Sequence, residues 1–245
     1  MSDSLRNAVP LAITLLCAGL LTAPSSASDG EKAKKAPVDC ALAYFEGLES
    51  TDLDSFLERM RPPRLSAAAR TPHGARLKGV EEARPTAGDL DKLAVVDPVL
   101  RYHDRQEVIE VRLIDAPYAV VGLCARTLLL ISREALREIS PQEVQAVAAH
   151  ELGHEYFWDE YQKAVDDGND HRVRELELRC DGIAVLTLCR LGLDPRHLTQ
   201  ALIHLTRYNE QRGAPRTTGP YPSLSERADF IKALTRSLEC AAREP

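Results

Sequence analysis

Two histidines and a glutamate, His150, Glu151 and His154, interrupt a stretch that is otherwise apolar: Val144, Val147, Ala148, Ala149 and Leu152. The stretch opens on Ser140-Pro141-Gln142-Glu143. Ser suits the N-cap, Pro the first helical position and Glu the third, so a helix is expected from there towards Tyr161. Residues four apart on a helix share a face, which points His150 and His154 the same way with Glu151 beside them. An apolar circumference predicts burial, and imidazoles and a carboxylate inside a core need partners. Whatever fold the chain adopts must bring such partners to this helix.

The spacing suggests what the partners are. Two imidazoles at i and i+4 can grip one Zn²⁺, and three protein ligands leave a fourth position for water. The metal lowers that water's pKa and polarises a carbonyl, while a neighbouring carboxylate such as Glu151 can take the proton and pass it to a leaving amine. The plainer reading, two solvent-exposed histidines on a surface helix, fits poorly with the apolar neighbours. A third ligand is expected on the next long helix, which carries Glu175, Glu177 and Asp181. Glu177 and Asp181 are i and i+4. One can bind the metal while the other orients a ligand histidine through its free ring N–H. Glu175 and His171 fit a solvated surface better, as do His197 and His204.

The 245-residue chain is mildly acidic, with a formal net charge of −6 and no basic patch that argues for nucleic acid. Residues 1–27 read as a secretory signal: Arg6, an apolar run over 8–21, then small residues before a cleavage point after Ala27. The run is short for a bilayer span, and an uncleaved anchor is the lesser reading. The remainder is expected to be exported, periplasmic or secreted, with no transmembrane segment after signal cleavage. Residues 28–37 read as a flexible leader, 38–100 as an amino-terminal helical and loop segment, and 101–245 as the domain that carries the chemistry. In finer detail, 38–60 looks like one helix and 62–90 mostly loop. Strands are expected over 107–114, 119–124 and 127–132, and helices over 172–191, from 195 to about 211, and over 224–242. The fold class is α+β: a small antiparallel sheet packed on a mostly helical body.

Five cysteines follow the signal: Cys40, Cys124, Cys180, Cys189 and Cys240. Export permits disulfides. Cys180 and Cys189 share one helix and stand about 13 Å apart, too far to bridge each other. A Cys40–Cys240 bridge tying the two ends together is the expected pairing.

Taken in order, these motifs resemble metallopeptidase family 48, the HtpX-like and CAAX-prenyl-endopeptidase group. The resemblance is carried by His150-Glu151-Leu152-Gly153-His154 and by Glu177-Leu178-Arg179-Cys180-Asp181, where Cys180 stands for the family's usual Ala. It extends to Gly192-Leu193-Asp194-Pro195 and to Tyr221-Pro222 followed by Arg227, with Tyr221 where the family has His. It covers about residues 105–235. The resemblance implies a zincin-like fold and one Zn²⁺ per chain. It implies His150, His154 and Glu177 as ligands, Glu151 as the base, and Asp181 behind a ligand histidine. Arg227 would sit near the cleft, Tyr221 could donate to an oxyanion, and a polypeptide substrate would pair with strand 127–132 as the sheet edge. Two rivals stand beside it: a non-catalytic zinc protein that binds client polypeptides, and a thiol hydrolase acting through Cys180.

Overall fold

The computed structural model describes residues 36–49, 51–69, 81–214 and 220–240. The expected signal and most of the leader lie outside the described residues. Among the described residues, no helix is long and apolar enough to cross a membrane.

The chain is α+β. Its helices are α1 (Pro37–Tyr44), α2 (Leu53–Met60), α3 (Ala87–Leu93), α4 (Asp97–Tyr102), α5 (Arg133–Glu138), α6 (Pro141–Tyr156), α7 (Trp158–Asp166), α8 (Asp170–Leu191), α9 (Arg196–Gln211) and α10 (Leu224–Ser237). The strands are β1 (Glu81–Glu82), β2 (Glu110–Asp115), β3 (Val121–Cys124) and β4 (Leu128–Ser132). Local chemistry sets many of the ends. Ser140 caps α6 and Ser223 caps α10, each with a reciprocal Glu three residues on. Gly192 closes α8 in the left-handed conformation, φ 71°.

Three local expectations are corrected. Residues 38–60 form two helices rather than one, because the chain turns through Gly47 at φ 76° between them. Within 62–90, α3 begins on a capping box between Thr86 and Asp89, a start signal stronger than the Pro and Gly around it suggest. The helix from Ser140 does not run on to Tyr161. It breaks at Phe157 (φ −117°, ψ 18°), whose buried ring stacks edge-on against Tyr44 of α1, and α7 leaves in a new direction.

The sheet order is β1-β2-β4-β3. β3 and β4 pair antiparallel, but β2 pairs parallel with β4, so the sheet is mixed rather than antiparallel. The cause lies in the connections. Only β3 and β4 are joined by a tight turn, through Ala125 and Arg126 at φ 50° and 59°. Between β2 and β3 the chain passes Pro117, which has no N–H for a ladder, and reaches Ala119. Asn209 of α9 clamps Ala119 there, accepting its N–H at 2.8 Å and donating to its carbonyl at 2.9 Å. This carries β3 to the outer rim and drops β4 between β3 and β2. Strand 127–132, expected at the edge, is therefore interior, and β3 is the rim strand that packs against α6.

The core centres on the contact between α6 and α8. Gly153 lets them close: a Cβ there would stand 2.8 Å from Cys180 Cα and 2.9 Å from its carbonyl oxygen, a separation real side chains do not tolerate. On the other side of α8, the Phe45 ring of α1 occupies the space where a Gly182 Cβ would point. Ala41, Phe45, Leu53 and Leu57 are buried in the same core as α6 and α8. Gly153→Ala is expected to lower stability by about 1–3 kcal/mol by overpacking. Chemical denaturation checks this, and unchanged stability would mean that the two helices can part without loss.

The disulfide joins Cys189 to Cys240, with Cα atoms 5.7 Å apart, rather than Cys40 to Cys240. α10 ends beside the last turn of α8, which sets Cys240 next to Cys189. Cys124 and Cys180 are unbridged and buried.

Candidate metal centre

His150 and His154 project from α6 towards α8, where Glu177 and Asp181 lie one turn apart. His150, Glu151, Glu177 and Asp181 are each no more than 1% exposed. The ligand-capable atoms of His150, Glu151 and His154 lie within 4.8 Å of one another.

His150 Nδ1 stands 2.8 Å from Asp181 Oδ1. Arg227, entering from α10, donates its Nε–H to Asp181 Oδ2 at 2.8 Å and an Nη2–H to Oδ1. Burial alone would raise the Asp181 pKa. Arg227 and His150 outweigh it and hold the carboxyl below its ordinary value. An ionised carboxylate can only accept, so the proton shared with His150 sits on Nδ1, and the lone pair of that ring is at Nε2. Arg227 Nη2 is also 3.1 Å from His150 Nδ1, but two donors face each other there and the hydrogen bond belongs to Asp181. On the second ring, His154 Nδ1 lies 3.6 Å from Cys180 Sγ.

Both rings are neutral near pH 7. Burial, then Arg227, lowers the His150 pKa against the opposing pull of Asp181. Burial, then Arg227, brings His154 down to about 4. Neutral imidazole is the form that binds metal.

Both Nε2 atoms are buried without a hydrogen-bond partner, as is Oε1 of Glu151. The groups they face are the two oxygens of Glu177: Oε2 is 3.6 Å from His150 Nε2 and Oε1 is 3.8 Å from His154 Nε2. These distances are too long for hydrogen bonds. They are close to the spacing of donors around a shared ion, since two ligands each about 2.1 Å from a tetrahedral Zn²⁺ stand about 3.4 Å apart. Two nitrogen lone pairs and a carboxylate converging in a dry interior repel one another unless a cation lies between them. The donor set, neutral N, N and carboxylate O, suits zinc.

Glu151 differs from Glu177 in what holds it. Its Oε2 accepts the Leu123 N–H of rim strand β3 at 2.9 Å, leaving Oε1 as the unpartnered atom. Burial pushes its pKa well above the ordinary value, the Leu123 amide pulls the other way, and the Glu177 charge adds to the rise.

Other expected positions fall outside this cluster. Glu175 is buried, not solvated, and is neutralised by Arg179 at 2.6 Å and Arg172 at 2.7 Å. His204 pairs with Glu143 at 2.7 Å, and His197 Nδ1 lies 3.1 Å from Gln200. Tyr221 is half-buried and hydrogen-bonds Tyr161. Cys180 is fully buried, and burial together with Glu177 and Asp181 pushes its thiol well above the ordinary range. A thiolate nucleophile is disfavoured there.

Tyr161 is the polar neighbour that the sequence did not announce. Its hydroxyl donates to Glu177 Oε1 at 2.8 Å, and its ring stands edge-on to His154 with centroids 5.1 Å apart. Its spacing of seven from His154 puts it on the same helical face, two turns further along. On an unbroken helix Tyr161 would lie about 10 Å along the axis from His154; here the two rings are in contact across the break at Phe157.

No known protein family matches the chain, and no curated protein matches it in sequence.

Proposed function

We propose that the chain is an exported zinc-dependent endopeptidase with a zincin-like site, akin to the family 48 peptidases its motifs resemble. The observation that carries this reading is the pair of unpartnered Nε2 atoms facing the two oxygens of one buried carboxylate. His150, His154 and Glu177 would hold one Zn²⁺ per chain, which would supply Lewis acidity and an acidified water. Glu151 is the base: its free Oε1 takes a proton from water and returns it to the leaving amine, while the Leu123 amide keeps the carboxylate aimed. Asp181, itself anchored by Arg227, fixes the tautomer and orientation of His150. Backbone groups on the rim of β3, rather than β4, are the natural partners for an extended polypeptide substrate. Tyr221, linked to Glu177 through Tyr161, would contact the same substrate. The amino-terminal apolar run and the Cys189–Cys240 bridge both support export to an oxidising compartment.

One observation favours a second reading, a non-catalytic zinc protein that binds client polypeptides. Every ligand atom is buried, and a catalytic zinc needs an open coordination position. The unpartnered Oε1 of Glu151 weighs against it, because a purely structural site has no use for an idle buried carboxylate oxygen.

The deciding experiment measures bound metal in the purified protein and follows cleavage of an unfolded protein before and after chelation. About one zinc per chain is expected, with cleavage lost on chelation and restored by added zinc. Bound zinc with no cleavage would favour the client-binding reading. Absence of any bound metal would remove both.

A further inference from the structure

A carboxylate that ligates a metal is a weak point in a buried site. The last torsion of a glutamate side chain is broad, so the carboxylate plane swings unless something holds it. In this cluster His150 is held by Asp181, and Glu151 by the Leu123 amide. Glu177 is held by one hydrogen bond, from the hydroxyl of Tyr161 to Oε1 at 2.8 Å. Tyr161 is 5% exposed, and its ring is fixed edge-on against His154. One residue thus touches two of the three proposed ligands. The same hydroxyl is hydrogen-bonded to Tyr221, in the segment that leads into α10 and Arg227.

We propose that Tyr161 is a positioning residue for Glu177, its phenol fixing the carboxylate plane so that Oε2 faces His150 and Oε1 faces His154. The inference rests on the metal-binding reading above. Its physical basis is the charge-assisted hydrogen bond, roughly twice as strong as a neutral one and sharply directional. A phenol, with an ordinary pKa of about 10, is protonated at neutral pH and so donates to the carboxylate. Tyr161 lies on α7, just past the break at Phe157, and reaches the cluster from there. Tyr221 contributes at one remove, as the outer link in a chain that runs from Glu177 through Tyr161 towards solvent.

The test is a double-mutant cycle read as zinc affinity, by competition with chromogenic chelators of graded strength. Tyr161→Phe removes the hydroxyl and keeps the ring. It is expected to weaken zinc binding roughly 10- to 100-fold, the usual range for losing an outer partner of a ligand. In a Glu177→Gln background the same change should cost less than about 2-fold, because the carboxylate it acts on is gone. Cobalt substituted for zinc should show displaced d–d absorption bands in Tyr161→Phe, since the ligand field changes when Glu177 turns. Three results would overturn the assignment: wild-type affinity in Tyr161→Phe, equal losses in both backgrounds, or collapse of the metal-free fold in Tyr161→Phe. Failure of the underlying metal reading would show separately, as a wild-type protein that binds no zinc in the same titration.

Discussion

Glu151→Gln should leave a folded, zinc-loaded protein whose peptidase turnover is lower by a factor on the order of 10² to 10⁴, the usual contribution of a positioned general base. The substitution is nearly isosteric. Its amide oxygen can still accept the Leu123 N–H that holds Glu151 Oε2 at 2.9 Å, so β3 and α6 should stay in contact. The amide nitrogen would then stand where Oε1 now lies without a partner. That nitrogen cannot take a proton from water, so the proton-transfer role is lost while the shape survives. Three measurements on one preparation make the case: metal content, thermal unfolding and the rate of cleavage. Turnover near the wild-type rate, with metal bound, would remove Glu151 from the mechanism and return attention to the client-binding reading.

Arg227→Leu is expected to destabilise the protein by about 3–5 kcal/mol, the range seen when one partner of a buried ion pair is removed. Arg227 donates twice to Asp181, which is wholly buried. Without the guanidinium, that charge is left with the His150 N–H. Acid dependence gives a second readout. The Asp181 pKa is depressed in the folded protein. The pair therefore contributes its full stability above the ordinary aspartate pKa of 3.8, and that contribution disappears as the pH falls through the lower folded value. In Arg227→Leu this acid-side loss should vanish, since burial then raises the Asp181 pKa instead. Adding Asp181→Asn to Arg227→Leu should recover part of the stability by removing the stranded charge. Chemical denaturation of the metal-free forms measures the wild type and both variants, and a loss below about 1 kcal/mol in Arg227→Leu would show that water or another cation reaches Asp181.

What the sequence revealed of this arrangement was local. The cap at Ser140 and the stop at Gly192 are written in neighbouring residues, and helices could be placed from them. The i, i+4 spacing on α6 and again on α8 predicts which side chains share a face, and α6 and α8 turn those faces towards each other. What the sequence withheld was long-range. Alternation marks a strand but does not name its partner, so the parallel pairing of β2 with β4 was out of reach, and with it the identity of the rim strand. Phe157, where the helix breaks, packs against Tyr44, more than a hundred residues upstream, and Tyr161 meets Glu177 from another helix; neither contact is written in local sequence. Glu175 was read as solvated because its neutralising arginines, Arg172 and Arg179, also pass for surface residues. Cysteine spacing could exclude a bridge within α8 but could not choose between Cys40 and Cys189 as the partner of Cys240.

The bridge that formed has a consequence for the unfolded chain. It closes a loop of sequence separation 51. By loop-closure entropy such a crosslink removes about 4 kcal/mol of freedom from the denatured ensemble. Arg227 rides inside that loop, and Asp181 lies just outside it, two turns before Cys189 on the same helix. Even when packing is lost, the oxidised chain keeps the guanidinium and the carboxylate at a high effective concentration for each other. The reduced chain does not, so oxidation before folding gives the buried ion pair a head start that a reducing compartment would withhold.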